Sequence, residues 1–192
     1  MPEKKIEIDK DINSSSSLED EQFSLNNYQI MTIKENYNSF SSSVETKVVL
    51  NVFDVASCIL RKTGKISTMK LQKLVYYCQA WSLVWDEQPL FPEKIKAWSN
   101  GPVIGELFFQ LKGLFQVDEN DLLVGNYRKL NETQIETIDA FLKHYGDKSA
   151  QWLIELSHME IPWKNARIGL SEGERSSRII ELDKIAEYYS SL

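Results

Sequence analysis

The chain has two cysteines and two histidines in 192 residues, no glycine-rich phosphate loop, no nucleophile motif and no internal repeat. Each absence excludes something. Cys58 and Cys78 both fall on expected apolar helix faces, which points to reduced, buried thiols of a cytosolic protein rather than to a disulfide framework. A zinc site would have to gather Cys58, Cys78, His144 and His158. Their separations of 20, 66 and 14 residues match no recurring structural zinc spacing. No metal and no cofactor are expected. The first residues, Met1 to Asp9, carry no apolar signal-peptide region, so the expected location is cytoplasmic. Basic excess is lacking too: 22 Lys and Arg stand against 28 Asp and Glu. Without a basic stripe, direct nucleic-acid contact is not expected.

The negative charge is unevenly placed. Residues 1–45 hold four lysines and nine acids, a balance of −5, whereas residues 46–192 hold 18 cations and 19 anions, a balance of −1. The first stretch combines Ser14–Ser17, Ser41–Ser43 and scattered hydrophobes. Such a mixture buries too little surface to offset ordering entropy, so a disordered arm is expected in the free protein. Phe23, Leu25, Tyr28, Ile30 and Ile33 leave a second reading open, a docking segment that orders on a partner. An arm of this kind is also where a cellular protease would begin. Residues 46–192 are then the folded domain.

A mainly α, compact domain with a central buried helix and a short β element is expected there. Hydrophobic content of 42% and five tryptophans supply the core. The centre is Thr68 to Trp85, where Leu71, Leu74, Val75, Cys78, Trp81 and Trp85 follow helical spacing and further apolar residues occupy most other sides. A helix apolar on most sides is buried by several neighbours. Its two lysines and two glutamines, with no flanking apolar run, argue against a membrane span. Lys70 and Lys73 are expected as its solvated ridge or as contacts for an acidic partner group.

Around this helix, Asn51 with Asp54 reads as a capping box, Gly64 as a stop, and Ser67 or Thr68 as the next cap. Ile95 to Trp98 alternates as a short strand, Asn100-Gly101-Pro102 is turn chemistry, and a helix is expected from Val103 to Lys112 with Pro102 in its first turn. Residues 113–130 look irregular. Asn131 with Gln134 caps a further helix that Gly146 ends, and Asp147 caps another. A short helical turn is expected after Pro162. Leu182, Ile185, Ala186 and Tyr189 mark a C-terminal amphipathic helix.

Chemistry-bearing candidates are few. His158 and Glu160 form a potential base and acid, with Arg167 as an anion clamp. The competing reading has His158 and Glu160 bonding backbone at a helix end while Trp163 packs. Trp81, Trp85, Trp98, Trp152 and Trp163 are expected in the core, with one or two at a binding surface, since tryptophan and arginine dominate interface hot spots.

In order along the chain stand Asp54-Val-Ala, Met69-Lys-Leu-Gln-Lys-Leu-Val-Tyr-Tyr, Pro89-Leu-Phe, Ala97-Trp-Ser-Asn-Gly-Pro-Val, Tyr145-Gly, Ser157-His-Met-Glu-Ile-Pro-Trp-Lys-Asn-Ala-Arg167 and Tyr188-Tyr189. This set resembles the Panacea domain, also described as SocA-like antitoxins and phage-associated GepA-like proteins. The resemblance covers residues 46–192. It implies a helical, non-enzymatic domain that neutralises a cognate protein toxin by direct binding, in a bacterial or phage-encoded toxin–antitoxin system. Two positions depart from the pattern. Asn100 stands where an aromatic residue commonly precedes Gly-Pro, and Ser157 replaces a threonine while keeping the hydroxyl.

The partner-binding candidates are Lys70, Lys73, Trp98, Asn100, His158, Glu160, Trp163 and Arg167. Two alternatives are an enzyme acting on a nucleotide or phosphorylated signal through His158, Glu160 and Arg167, and a DNA-associated regulator. The acidity of the arm would suit a basic toxin surface.

Overall fold

Asn51 opens the first helix by local chemistry. Its side chain accepts from the Phe53 and Asp54 amides, while the Asp54 carboxylate accepts from the Asn51 amide. This is the capping box expected of that pair, and it starts helix α1, Val52–Thr63. The computed structural model describes residues 49–192. The acidic arm 1–45, with its docking-segment and protease readings, lies outside the described residues. Asp54 has a second task. It is fully buried, pairs with Lys129 at 3.1 Å and accepts from the Asn126 amide at 2.8 Å, so the cap also holds a distant loop.

Ser67 caps the next helix, α2, Thr68–Trp85. The ten residues from Leu71 to Ala80 are all buried, so the helix is central, as its apolar circumference requires. It packs against α1, against a strand at Gly101–Ile104 and against four later helices. The polar remainder does not form a ridge. Gln72, Lys73, Gln79 and Ser82 are buried. The Gln79 carbonyl accepts from the Leu90 and Phe91 amides while its NH2 group donates to the Phe91 carbonyl. Lys73, expected on a solvated face beside Lys70, is fully enclosed. Its position lies between α2 and the β hairpin, where one ammonium can satisfy a strand carbonyl.

That hairpin is β2, Ile95–Trp98, and β3, Gly101–Ile104, paired antiparallel with Ile95 opposite Ile104 and Trp98 opposite Gly101. Here the sequence expectation fails. Residues 101–104 are strand, Pro102 lies opposite Ala97, and helix α3 is confined to Gly105–Gln110. The reason is tertiary. Gln72 clasps both backbone groups of Ile104, accepting from its N–H at 2.9 Å and donating to its C=O at 3.2 Å. The outer edge of β2 is met by the later chain, with Ala97 N–H bonded to the Arg178 carbonyl and Ile180 N–H to the Ile95 carbonyl.

The segment read as irregular contains strand β4, Gln116–Val117, which pairs with β1, Ile66–Ser67. It also holds two single 3-10 turns. Helix α4, Glu132–Tyr145, has the expected Asn131–Gln134 capping box. Helix α5, Ala150–Met159, is capped by Ser149 rather than by Asp147. Helix α6, Ile161–Ala166, carries Pro162 in its first turn, and α7, Leu182–Tyr189, buries Ile185 and Tyr189. The described residues are thus 56% helical, with seven helices and only two-stranded sheets. No helix among them is long and apolar enough to cross a membrane. Cys58 and Cys78 are buried free thiols, and burial pushes both thiol pKa values up. The tryptophans meet the core expectation in part: Trp81 and Trp163 are partly buried and pack against the core, whereas Trp85 and Trp152 are 48% and 39% exposed.

Candidate functional site

The reversal between β2 and β3 passes through Ser99 and Asn100 into Gly101, whose φ of 93° lies in the left-handed region. A Cβ at Gly101 would lie 2.6 Å from Ser157 Oγ and 2.7 Å from Lys73 Nζ. Glycine is required there by both conformation and space. Beneath the turn, Lys73 Nζ donates to the Pro102 carbonyl at 2.8 Å. Burial pushes this lysine down to about 7, because the ammonium is held away from water.

The outer side of β2 is held by α5, α6 and the residue that follows. Arg167 donates to the Ala97 carbonyl at 2.9 Å, and the Trp163 indole donates to the Trp98 carbonyl, also at 2.9 Å. The backbone of Ser99 faces His158 and favours its protonated form. Three side chains therefore address three successive residues, Ala97 and Trp98 at the end of β2 and Ser99 of the turn. They also stack on each other. His158 lies 4.1 Å from Trp163 at an interplanar angle of 16°, and the Arg167 guanidinium is 5.3 Å from the Trp163 ring centre. Burial first, then the charges of Lys73 and Arg167, lower the His158 pKa. Arg167 further donates to the Ser171 and Glu174 carbonyls. It is occupied as a backbone clamp, which differs from a free anion clamp.

Glu160 faces elsewhere. It is buried, accepts from the Tyr189 hydroxyl at 2.8 Å, and has the Tyr77 hydroxyl near the same carboxyl. Burial raises its pKa to about 7. The expected backbone bonds at a helix end are thus replaced by a side-chain bond to α7. His158 and Glu160, two residues apart, enter different surroundings. Lys70 is separate again: its ammonium bonds the Gly146 carbonyl at the end of α4.

The structure brings together Trp98, Asn100, His158, Trp163 and Arg167, with Lys73 beneath them. Around this turn lie three hollows. One of about 470 Å³ is lined by Ser99, Asn100, His158, Trp163 and Arg167. A second of about 730 Å³ adjoins Trp98, Phe108 and Phe109. A third of about 200 Å³ lies against Asn100, Val103 and Leu111. Sequence reasoning passed over Phe108, Phe109, Lys96, Lys112 and Arg175. The adjacent phenylalanines were a signal, because neighbouring residues on one helix cannot both face the core.

Residues 71–164 match the family model described as Antitoxin SocA-like, Panacea domain. No curated protein and no solved structure matches the chain. The matched stretch runs from the first buried residue of α2 through the hairpin to α6, so it includes the turn and all its holders except Arg167.

Proposed function

We propose that this chain, a member of the SocA-like Panacea family, neutralises a cognate protein toxin by direct binding, and that the Ser99–Asn100 turn is the centre of the contact. The family match implies an antitoxin role and a toxin partner in general. What carries the finer reading is the stapling of the turn. Arg167 and Trp163 fix the strand residues before it, Ala97 and Trp98, Lys73 fixes Pro102 after it, and His158 lies beside it in the same hollow. Asn100 at its tip is exposed. A rigid, exposed loop loses little entropy on docking, which favours recognition of a partner surface. Partly exposed Trp98 and Trp163 flank it, and tryptophans of this kind anchor interfaces.

In this reading the chain belongs to a bacterial or phage toxin–antitoxin system and meets its toxin in the cytoplasm. Co-expression with the product of the neighbouring gene should relieve growth arrest, and the two proteins should co-purify. Arrest without relief, and no complex, would refute the proposal. Asn100→Arg should keep the wild-type melting temperature and weaken the complex about tenfold or more, as expected for a charge forced into an interface centre. Undiminished affinity would move the contact away from the turn.

A further inference from the structure

We infer that the hollow between β2 and α3 docks an acidic segment of the partner that carries an aromatic or aliphatic anchor. Its volume of about 730 Å³ suits one or two large side chains. The wall is an aromatic ladder. Trp98 meets Phe108 edge-on at 4.7 Å, and Phe108 meets Phe109 edge-on at 5.6 Å. Phe109 is 64% exposed although it sits on a helix with a buried face. The rim is of one sign, with Lys96, Lys112 and Arg175. None of these three is in an ion pair with a described residue. The acid on α3, Glu106, lies within electrostatic reach of Glu93, and neither lines the hollow.

The apolar surface continues past this wall. The smaller hollow of about 200 Å³ shares Trp98, Phe108 and Lys112 and ends at Leu114, 44% exposed, beside Phe115, 80% exposed. Exposed aromatic area ringed by cations that no described residue pairs selects against a basic partner segment and favours one that alternates carboxylates with apolar anchors. A domain whose balance over residues 46–192 is −1 has concentrated these cations locally. The partner's identity as a toxin rests on the proposed function; the chemistry of the docked segment rests on the groove alone.

The test is fluorescence anisotropy with the full chain and a short labelled peptide bearing a central Leu-Phe pair flanked on both sides by Asp and Glu. Saturable binding is expected, falling as salt is raised. The triple variant K96E/K112E/R175E should weaken it about tenfold or more, and Phe109→Ser should do the same without a change of sign at the rim. A peptide with Lys at each acidic position should not bind. No saturable binding to the wild-type chain, or equal binding by the charge-reversed and Phe109→Ser variants, overturns the inference. The same variants in co-expression separate the two ideas. Full relief of toxicity by the charge-reversed and Phe109→Ser chains overturns the groove and leaves the antitoxin reading standing. Failure of the wild-type chain to relieve toxicity overturns that reading and leaves the peptide result to decide the groove.

Discussion

Lys73 and Glu160 are charged residues enclosed by the fold, and their protonation makes stability depend on pH in opposite senses. Unfolded, Lys73 keeps its proton to about 10.5; folded, burial lowers its pKa to about 7. Between these values the unfolded chain binds more protons, so stability rises with pH, by roughly 4–5 kcal/mol over the whole interval. Glu160 loses its proton near 4.5 when unfolded and near 7 when folded. From 4.5 to 7 the folded state binds more protons, so stability falls, by roughly 3 kcal/mol. His158, lowered and partly exposed, opposes that fall to a smaller extent. Urea denaturation should therefore show a stability minimum near neutral pH. Glu160→Gln, which keeps an acceptor for Tyr189, should remove the falling limb, and Lys73→Met the rising one. A flat profile in the wild-type chain would contradict both assignments. Gly101→Ala tests the turn above Lys73. Its Cβ would meet Ser157 and Lys73 at under 3 Å in a left-handed conformation, so a loss of about 2–3 kcal/mol is expected in the same assay.

Elements whose signals are local were legible from the chain, and elements made by distant partners were not. The capping boxes of α1 and α4 involve side chains three residues from the backbone they satisfy, so Asn51 with Asp54 and Asn131 with Gln134 reveal themselves. Periodicity assigns polar residues to solvent, and it therefore misplaces Gln72, Lys73 and Gln79, which bond backbone carbonyls of segments far along the chain. For the same reason Val103 and Ile104 of β3 read as the start of a helix: nothing local says that Gln72 will clasp Ile104. The grouping of the candidate site was legible in part. Trp98, Asn100, His158, Trp163 and Arg167 do converge, while Lys70 and Glu160 serve other junctions. Arg167 shows how one side chain links elements, joining β2 to the segment after α6 through three carbonyls. Arg167→Lys retains charge but cannot fork. A loss of about 1–3 kcal/mol is expected, with faster amide exchange at Glu174, whose N–H bonds the Ser171 carbonyl. Unchanged exchange there would deny the clamp.

At the scale of the molecule, the described core closes between Leu50 and Tyr189, with α2 packed by α1, β3, α4, α5 and α7. Every element needed to bury Leu71 to Ala80 lies within residues 52–189. We propose on this ground that residues 46–192 hold a complete folding unit, by the criterion of a self-contained apolar core. Expressed alone, this fragment should melt cooperatively within about 3 °C of the full chain, a difference of no more than about 1 kcal/mol for a domain of this size. Its charge would change far more than its stability. Removing residues 1–45 takes the net charge from −6 to −1, and a near-neutral protein associates more readily. Light scattering at neutral pH should show the fragment aggregating at a lower concentration than the full chain, with the difference narrowing as salt screens the charge. A fragment that fails to melt cooperatively would refute the folding unit. One that folds but scatters no more than the full chain would show that the acidic segment is not what keeps the protein dispersed.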